Sequence, residues 1–206
     1  MSSVPDVRNV PETYITPEEY LAMERAARTR SEYFRGETFA LSGASWAHNL
    51  ISTNLVSALV PRVRPKGCKV SASDLRVKIQ ALGKYTYPDI AVTCGDEQFE
   101  DSFVDTLLNP VVLVEILSES TEKCDRGRKF DHYRELESLR VYALVAQDEI
   151  RIEVFTRQEG GFWRYEAWSG QQAIARIEVP RVDLPLAEVY EGVLGRMAGA
   201  PSGRSG

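Results

Sequence analysis

The chain is poor in cysteine and histidine, which argues against several kinds of site. Its three cysteines, Cys68, Cys94 and Cys124, form no CxxC pair, so the sequence supports neither a disulfide framework nor a cysteine zinc site. Only two histidines are present, His48 and His132, and there is no GxSxG elbow or P-loop. The sequence therefore gives no sign of a serine hydrolase or of a P-loop nucleotide site.

Two further absences bear on location. No stretch approaches the ~18 consecutive apolar residues of a membrane-spanning helix. The first residues, Met1 to Val7, lack the basic and apolar regions of a signal peptide. Free thiols and the lack of an export signal together predict a cytoplasmic protein with no membrane partner.

What is present is an ordinary globular composition, with 43% hydrophobic residues in 206. We expect a flexible lead-in over 1–12, one domain over 13–196 and a disordered tail over 197–206. Helical spacing predicts helices over 17–29, from Ser45 to a stop at Pro61, and over 124–137. The expected strands are a hairpin over 32–41, then 75–79, 85–93, 111–117, 141–146 and 150–156, followed by short C-terminal strands. This order predicts an α/β or α+β domain with a central mixed sheet.

The net charge of -5 argues against wholesale non-specific binding of nucleic acid, but the charge is unevenly distributed. Bases are concentrated between Arg62 and Lys78, and acids between Asp96 and Asp105. The basic stretch fits a phosphate-bearing partner, and it fits a solvated surface equally well. The candidates for nucleic-acid binding are Arg62, Arg64, Lys66 and Lys69.

Glu115 is the most informative residue, because it lies inside a strand of apolar residues. A buried carboxylate needs a cation, a set of hydrogen bonds or a proton. Asp89 follows Pro88 at the start of another predicted strand, and adjacent strands would bring it to Glu115. Two converging carboxylates repel unless a hard cation lies between them, and Mg²⁺ is the usual one. Alternatively, Asp89 is a turn residue and Glu115 belongs to a buried ion pair.

Lys129 lies on the next predicted helix, on the same face as Asp125 and Tyr133. If that face points inward, a lysine joins two carboxylates and a metal. Such a set suits phosphodiester hydrolysis, because the metal activates water and the ammonium offsets developing negative charge. Lys129 pairing with Glu115, or extending to solvent, is the structural alternative.

In order along the chain, these residues resemble the PD-(D/E)xK nuclease core. More closely, they resemble a large bacterial family of restriction-endonuclease-like proteins, long catalogued as a domain of unknown function. The resemblance covers about Thr16 to Val193, and is carried by Pro88-Asp89, Val114 to Ser118, Thr121, Asp125, Lys129 and Tyr133, together with Glu32 to Glu37, Ser42 to Ala44, His48, Ser138 to Tyr142 and Leu186 to Val193.

The resemblance implies a restriction-endonuclease-like mixed sheet flanked by helices, with additional C-terminal antiparallel strands. It implies that Asp89, Glu115 and the backbone carbonyl of Ile116 hold Mg²⁺ or Mn²⁺, and that Glu32 can approach the metal. The general pattern places its lysine two residues after the acid, where this chain has Leu117; the family resemblance gives the role to Lys129. Further site candidates are His48 and Tyr133.

The resulting hypothesis is a Mg²⁺-dependent endonuclease in which metal-activated water hydrolyses nucleic acid. DNA as substrate is implied by the resemblance alone. A homodimer is expected, since enzymes that cut both strands commonly work as dimers. The alternative is a non-catalytic module for nucleic-acid or protein binding that keeps the fold, with Glu115 and Lys129 locked as an ion pair.

Overall fold

The computed structural model describes residues 14–41, 43–118 and 125–193. The predicted lead-in (1–12) and tail (197–206) lie outside these residues, as do Thr121 and Cys124. The strands are β1 (Ser31–Phe34), β2 (Glu37–Ala40), β3 (Cys68–Ala72), β4 (Arg76–Ile79), β5 (Lys84–Thr86), β6 (Ile90–Cys94), β7 (Thr106–Leu107), β8 (Val112–Leu117), β9 (Val141–Ala146), β10 (Arg151–Arg157), β11 (Trp163–Ser169), β12 (Ile174–Ile177) and β13 (Val182–Pro185). The helices are α1 (Pro17–Ala26), α2 (Trp46–Val63), α3 (Phe130–Tyr133) and α4 (Leu186–Val189), and a π-helical turn, Asp125–Lys129, leads into α3.

Three sheets are present among the described residues. The largest is six-stranded, in the order β11-β10-β9-β8-β6-β3, and is antiparallel except for the parallel pair β8 and β9. The second has the order β2-β1-β5-β4-β7, and β12 pairs with β13 as an antiparallel ribbon. The predicted central mixed sheet flanked by helices, with C-terminal antiparallel strands, is confirmed.

The side chains of each strand alternate between the two faces of the six-stranded sheet, and each face packs against a separate apolar cluster. Even-numbered residues of β8, such as Val114 and Ile116, pack under α2 and the β12–β13 ribbon. Odd-numbered residues, such as Leu113 and Leu117, pack toward α3 and the second sheet. Glu115 shares this odd parity, so its side chain enters the layer below α3.

The first helix and hairpin form as predicted. Thr16 and Glu19 make the reciprocal hydrogen bonds of a capping box, and Pro17 begins α1. The helix ends at Ala26, three residues earlier than expected. Tyr20 of α1 stacks on Tyr33 of β1 with ring centroids 5.0 Å apart, which packs α1 against the hairpin of the second sheet.

Three predicted elements need correction. Pro61 does not stop α2, which continues to Val63. The single strand expected over 85–93 is two strands in different sheets, because the chain breaks at Pro88, which has no amide hydrogen to donate. The helix expected over 124–137 is a π-helical turn followed by α3, which ends at Tyr133.

The prediction of free thiols is wrong for two of the three cysteines. Cys68 opens β3, Cys94 closes β6, and the two face each other in the antiparallel register and form a disulfide. One of the two grounds for a cytoplasmic location is thereby removed. Within the described residues, no helix has the length and hydropathy needed to cross a membrane.

Candidate active site

The antiparallel pairing of β6 with β8 brings the two predicted acids together. Ile90 pairs with Val114, so the preceding Asp89 lies opposite Glu115 at the end of the shared ladder. The Asp89 carboxylate accepts a hydrogen bond from the Ile116 amide at 2.6 Å. This contact ties the loop before β6 to the middle of β8 and fixes the separation of the two acids.

His48 reaches the same acid from α2. Ser45 caps the helix by accepting a hydrogen bond from the His48 amide at 3.0 Å. The imidazole Nε2 then lies 3.1 Å from the second oxygen of Asp89. Asp89 is therefore held on one side by the β8 backbone and on the other by the first turn of α2. The predicted place of His48 in the site is consistent with this contact.

Glu115 is held by two groups from the segment after β8. Lys129 Nζ lies 3.1 Å from Oε2, and the Tyr133 hydroxyl donates to Oε1 at 2.7 Å. The Glu115 side chain is only 4% exposed and that of Lys129 14%, so this is a buried ion pair with an additional hydrogen bond. Both groups reach Glu115, as the shared helical face predicts. The side chain of Asp125 lies outside the described residues.

Tyr133 is a hydrogen-bond donor rather than an acid in this setting. Burial, followed by the negative charges of Glu115 and Glu32, raises the pKa of Tyr133 well above its usual value. Its hydroxyl therefore stays protonated at neutral pH and donates a hydrogen bond to Glu115. The same hydroxyl lies 3.2 Å from Thr86 Oγ1, whose hydroxyl donates to Glu32 at 2.5 Å.

Glu32 is set back from the cavity, and its approach to a metal stays a prediction. Its carboxylate lies behind Thr86 and faces Lys84, whose Nζ is 3.5 Å away. Glu32 is not among the residues that line the cavity containing Asp89 and Glu115. In this arrangement Glu32 supports Glu115 indirectly, through Thr86 and Tyr133.

We expect Tyr133→Phe to destabilise the protein by about 1.5–3 kcal/mol, because a hydrogen bond to a buried carboxylate is lost without loss of the ring. Urea unfolding measures this change. Tyr165→Phe is a suitable control, because Tyr165 is exposed on β11 and its hydroxyl contacts Arg151; its effect should stay below about 0.5 kcal/mol. Equal changes in the free energy of unfolding for the two variants would show that the hydrogen bond from Tyr133 to Glu115 does not stabilise the protein.

The two acids and their partners Lys129 and His48 line a cavity of about 590 Å³. Asp89, Glu115, Lys129, His48 and the Ile116 backbone region meet at one end of it. The N-terminus of α2 forms a wall, and Ser45 Oγ donates to Gln147 at 2.8 Å, which joins that helix to the end of β9. The predicted acids, lysine and histidine thus share a single accessible space.

The donor set fits a hard divalent cation in its chemistry. Magnesium binds oxygen and is commonly held by one or two carboxylates, with water completing the octahedron. Asp89 and Glu115 supply two carboxylates on neighbouring strands, and an ionised carboxylate offers about four lone-pair sites on its two oxygens. Within the described ranges, no cluster of three His, Cys, Asp or Glu side chains is positioned to hold a metal. A metal here would depend on these two acids, the Ile116 carbonyl and water.

The predicted basic stretch lies elsewhere. Arg62 and Arg64 are at the far end of α2, roughly 25 Å along its axis from Ser45 at 1.5 Å per residue. Arg62 pairs with Glu188 at 2.7 Å, and Lys69 pairs with Glu97 at 2.6 Å. Lys66 contacts the Arg181 carbonyl. Binding of nucleic acid by these four residues stays a prediction, and the structure does not bring them to the cavity.

Several cavity residues were not singled out from the sequence. Gln147 is an ordinary loop residue in sequence terms, and Tyr87 lies next to the break at Pro88. Thr86, an ordinary strand residue, lies behind the cavity against Tyr133. Tyr87 also accepts a hydrogen bond from Arg76 at 2.9 Å and donates to Glu24 at 3.0 Å, so it links the cavity wall to α1. Only the register of the strands reveals these positions.

Two neighbouring carboxylates on strands of a mixed sheet and a buried lysine from the π-helical turn after β8 therefore meet in this cavity. The chain belongs to the Uma2 family, described as "Putative restriction endonuclease", whose model matches residues 17–187. Two relatives from Synechocystis sp. (strain ATCC 27184 / PCC 6803 / Kazusa) are similar. Uncharacterized protein slr1290 is 33% identical over 181 residues, which are 87% of this chain and 93% of the relative. Uncharacterized protein sll1609 is 31% identical over 159 residues, which are 77% of this chain and 90% of that relative.

A solved structure shares the fold. It is described as "a putative nuclease belonging to DUF820" from Anabaena variabilis ATCC 29413. It matches with a TM-score of 0.70 and 20% identity, over 85% of this chain and 97% of that one. The nuclease-like fold expected from the sequence is therefore confirmed.

Proposed function

We propose that the protein is a metal-dependent nuclease that hydrolyses phosphodiester bonds with Mg²⁺ or Mn²⁺ held by Asp89 and Glu115. The observation that carries this proposal is the convergence of the two carboxylates and Lys129 at one end of a cavity. A bound metal supplies a water of lowered pKa and polarises the phosphoryl oxygens. DNA is the substrate that the family resemblance favours.

Each protein group has a defined part in this proposal. Asp89 and Glu115 hold the cation, and the Ile116 amide and His48 keep Asp89 in position. Lys129 is near enough to Glu115 to offset negative charge that develops on a phosphoryl oxygen in the cavity. Tyr133 orients Glu115 by donating to Oε1, while Lys129 contacts Oε2.

A non-catalytic binding module is the second candidate, and a specific observation favours it. Both acids already have protein partners, since Lys129 and Tyr133 contact Glu115 while His48 and the Ile116 amide contact Asp89. A closed ion-pair scaffold has this appearance and requires no cation. The two candidates differ in whether the site takes up a metal.

Manganese titration by calorimetry distinguishes them. We expect saturable binding to the native chain and none to the double variant Asp89→Asn/Glu115→Gln. Because a ligand of the native state stabilises it, about 2.7 kcal/mol of stabilisation is expected when free Mn²⁺ is 100 times the Kd. Hydrolysis of labelled DNA should require the metal and disappear in the double variant.

Asp74→Asn is the matched control, because Asp74 lines the same cavity but its side chain is 75% exposed and pairs with Arg30. It should bind Mn²⁺ as the native chain does. If folded native protein binds no Mn²⁺, the metal-dependent nuclease is excluded and the binding module is favoured. The expected homodimer and cytoplasmic location stay predictions; light scattering in solution tests the first.

A further inference from the structure

The cavity carries an arginine that the proposed chemistry does not use. Arg30 lines the cavity, and its side chain is 39% exposed. The Lys129 side chain is 14% exposed and lies against the buried carboxylate of Glu115. The Arg30 guanidinium can therefore meet a molecule that enters from solvent, whereas the Lys129 ammonium faces an acid of the site.

The Arg30 backbone is held firmly although its side chain reaches solvent. Its carbonyl accepts a hydrogen bond from the Leu41 amide at 2.9 Å. The next residue, Ser31, donates from its amide and its hydroxyl to Glu24, at 3.0 and 2.6 Å. Glu24 also accepts from the hydroxyl of Tyr87, a residue of the cavity wall, at 3.0 Å. These bonds fix the position of the arginine backbone relative to the cavity.

Asp74 is the present partner of the guanidinium, and this ion pair is weak. The Asp74 carboxylate lies 3.6 Å from Arg30 Nε, and the Asp74 side chain is 75% exposed. Ion pairs between exposed side chains contribute little, because water and salt screen them. A phosphate can accept two parallel hydrogen bonds from a guanidinium, and such charged bonds are shorter and stronger than this contact. Exchange of the carboxylate for a phosphate is therefore favourable.

The ion pair lies beside one of the two proposed metal ligands. The Ser73 amide donates a hydrogen bond to the Asp89 carbonyl at 2.9 Å. Asp74 is the next residue, so Arg30, which contacts Asp74, lies on the Asp89 side of the cavity. A strand whose scissile phosphate meets a metal at Asp89 brings a neighbouring phosphate to this side. The carboxylates there repel that phosphate, and the guanidinium offsets the repulsion.

We infer that Arg30 binds a phosphate next to the scissile one, and that Asp74 pairs with its guanidinium until the nucleic-acid strand arrives. The inference rests on the proposed nuclease function and adds a residue that positions the strand across the cavity. A phosphate contact is the same for every base, so Arg30 fixes the register of the strand without reading its sequence. Arg30 belongs to a different surface from the basic stretch predicted from the sequence.

Fluorescence anisotropy with a short labelled DNA duplex and with its separate strand tests the inference, in Ca²⁺, which takes the same kind of oxygen ligands as Mg²⁺. Arg30→Gln should weaken the tighter of the two complexes about tenfold or more, as expected for loss of a charged hydrogen bond. Between about 50 and 200 mM salt, the slope of log K against log salt concentration should become less negative by about 0.7–0.9, the value for one phosphate contact. Arg30→Lys keeps the charge, so it should keep the native slope and lose only part of the affinity.

Asp74→Asn tests the competition for the guanidinium. It should tighten DNA binding by about two- to fivefold, because Arg30 is released from an exposed ion pair. In the Arg30→Gln background the same change should have a smaller effect, since no guanidinium is left to release. Equal tightening in both backgrounds would reflect a general loss of negative charge and would overturn the part assigned to Asp74.

Arg28→Gln is the matched control, because Arg28 is exposed two residues earlier and does not line the cavity. It should keep the native affinity and the native salt slope. Native affinity and slope in folded Arg30→Gln overturn the inference, as does an equal loss in Arg28→Gln; metal-dependent cleavage by the native chain would then leave the nuclease proposal standing. Failure of the native chain to bind either DNA also overturns the inference, and the Mn²⁺ titration then decides separately on the nuclease.

Discussion

Lys129→Met should reduce metal-dependent hydrolysis by about 100- to 1,000-fold, the usual effect of removing one donor that stabilises transition-state charge. It should also lower the free energy of unfolding by about 3–5 kcal/mol in EDTA, because the buried Glu115 carboxylate loses the Lys129 ammonium 3.1 Å away. Single-turnover cleavage measures the first effect, and urea unfolding measures the second.

A divalent metal should reverse part of the stability loss. In Lys129→Met a bound Mn²⁺ takes the place of the lost ammonium beside Glu115, so the variant should gain more stability from saturating Mn²⁺ than the native chain does. The double variant Lys129→Met/Glu115→Gln should recover most of the loss in EDTA, because no buried charge is left unbalanced.

Arg128→Met is the matched control for Lys129. Arg128 precedes Lys129 in the same π-helical turn, and its side chain is exposed. We expect a change in stability within about 0.5 kcal/mol and native activity. Native hydrolysis by Lys129→Met would remove the lysine from the proposed chemistry. Unchanged stability of that variant would contradict the buried ion pair.

The chemistry of the site was predictable because a buried charge stands out in a sequence. Glu115 interrupts an apolar strand, and such a carboxylate requires partners whatever the fold. Lys129 and Tyr133 are four residues apart, so a helical turn directs them to the same place even though the turn is partly π-helical. Local periodicity therefore indicated the partners of Glu115 without any knowledge of strand order.

The supporting residues were not predictable because they depend on which sheet each strand joins. Pro88 divides the expected strand 85–93, so Thr86 and Asp89 belong to different sheets. The pairing of Tyr33 with Tyr85 then holds the β1–β2 hairpin on the second sheet, and Glu32 meets Thr86 there rather than lining the cavity. Only long-range packing determines this arrangement, and no local signal in the sequence encodes it.

The cysteine prediction failed for a related reason. Cys68 and Cys94 are 26 residues apart, with no spacing motif to link them. Their pairing follows from the register of β3 with β6, which joins the first residue of one strand to the last of the other. The sequence shows two isolated thiols, and only the fold shows that they are cross-strand neighbours.

Removing this disulfide should lower the free energy of unfolding by about 3 kcal/mol, because a cross-link closing 26 residues limits the freedom of the unfolded chain. For a chain of this size, that corresponds to a fall in Tm of roughly 6–12 °C. Thermal unfolding of Cys68→Ser/Cys94→Ser, compared with the native chain with and without a reductant, measures it.

Thiol titration of the native chain, denatured without reductant, gives an independent count. Two of the three cysteines are in the disulfide, so one reactive thiol per chain is expected, against three after reduction. Cys124→Ser is the matched control: it should lose that one thiol and keep the sensitivity of Tm to reductant. Three thiols before reduction, or a Tm that the reductant does not change, would contradict the cross-strand disulfide. Because the disulfide joins β3 and β6 at the end opposite Asp89, its loss should lower Tm without changing the affinity for Mn²⁺.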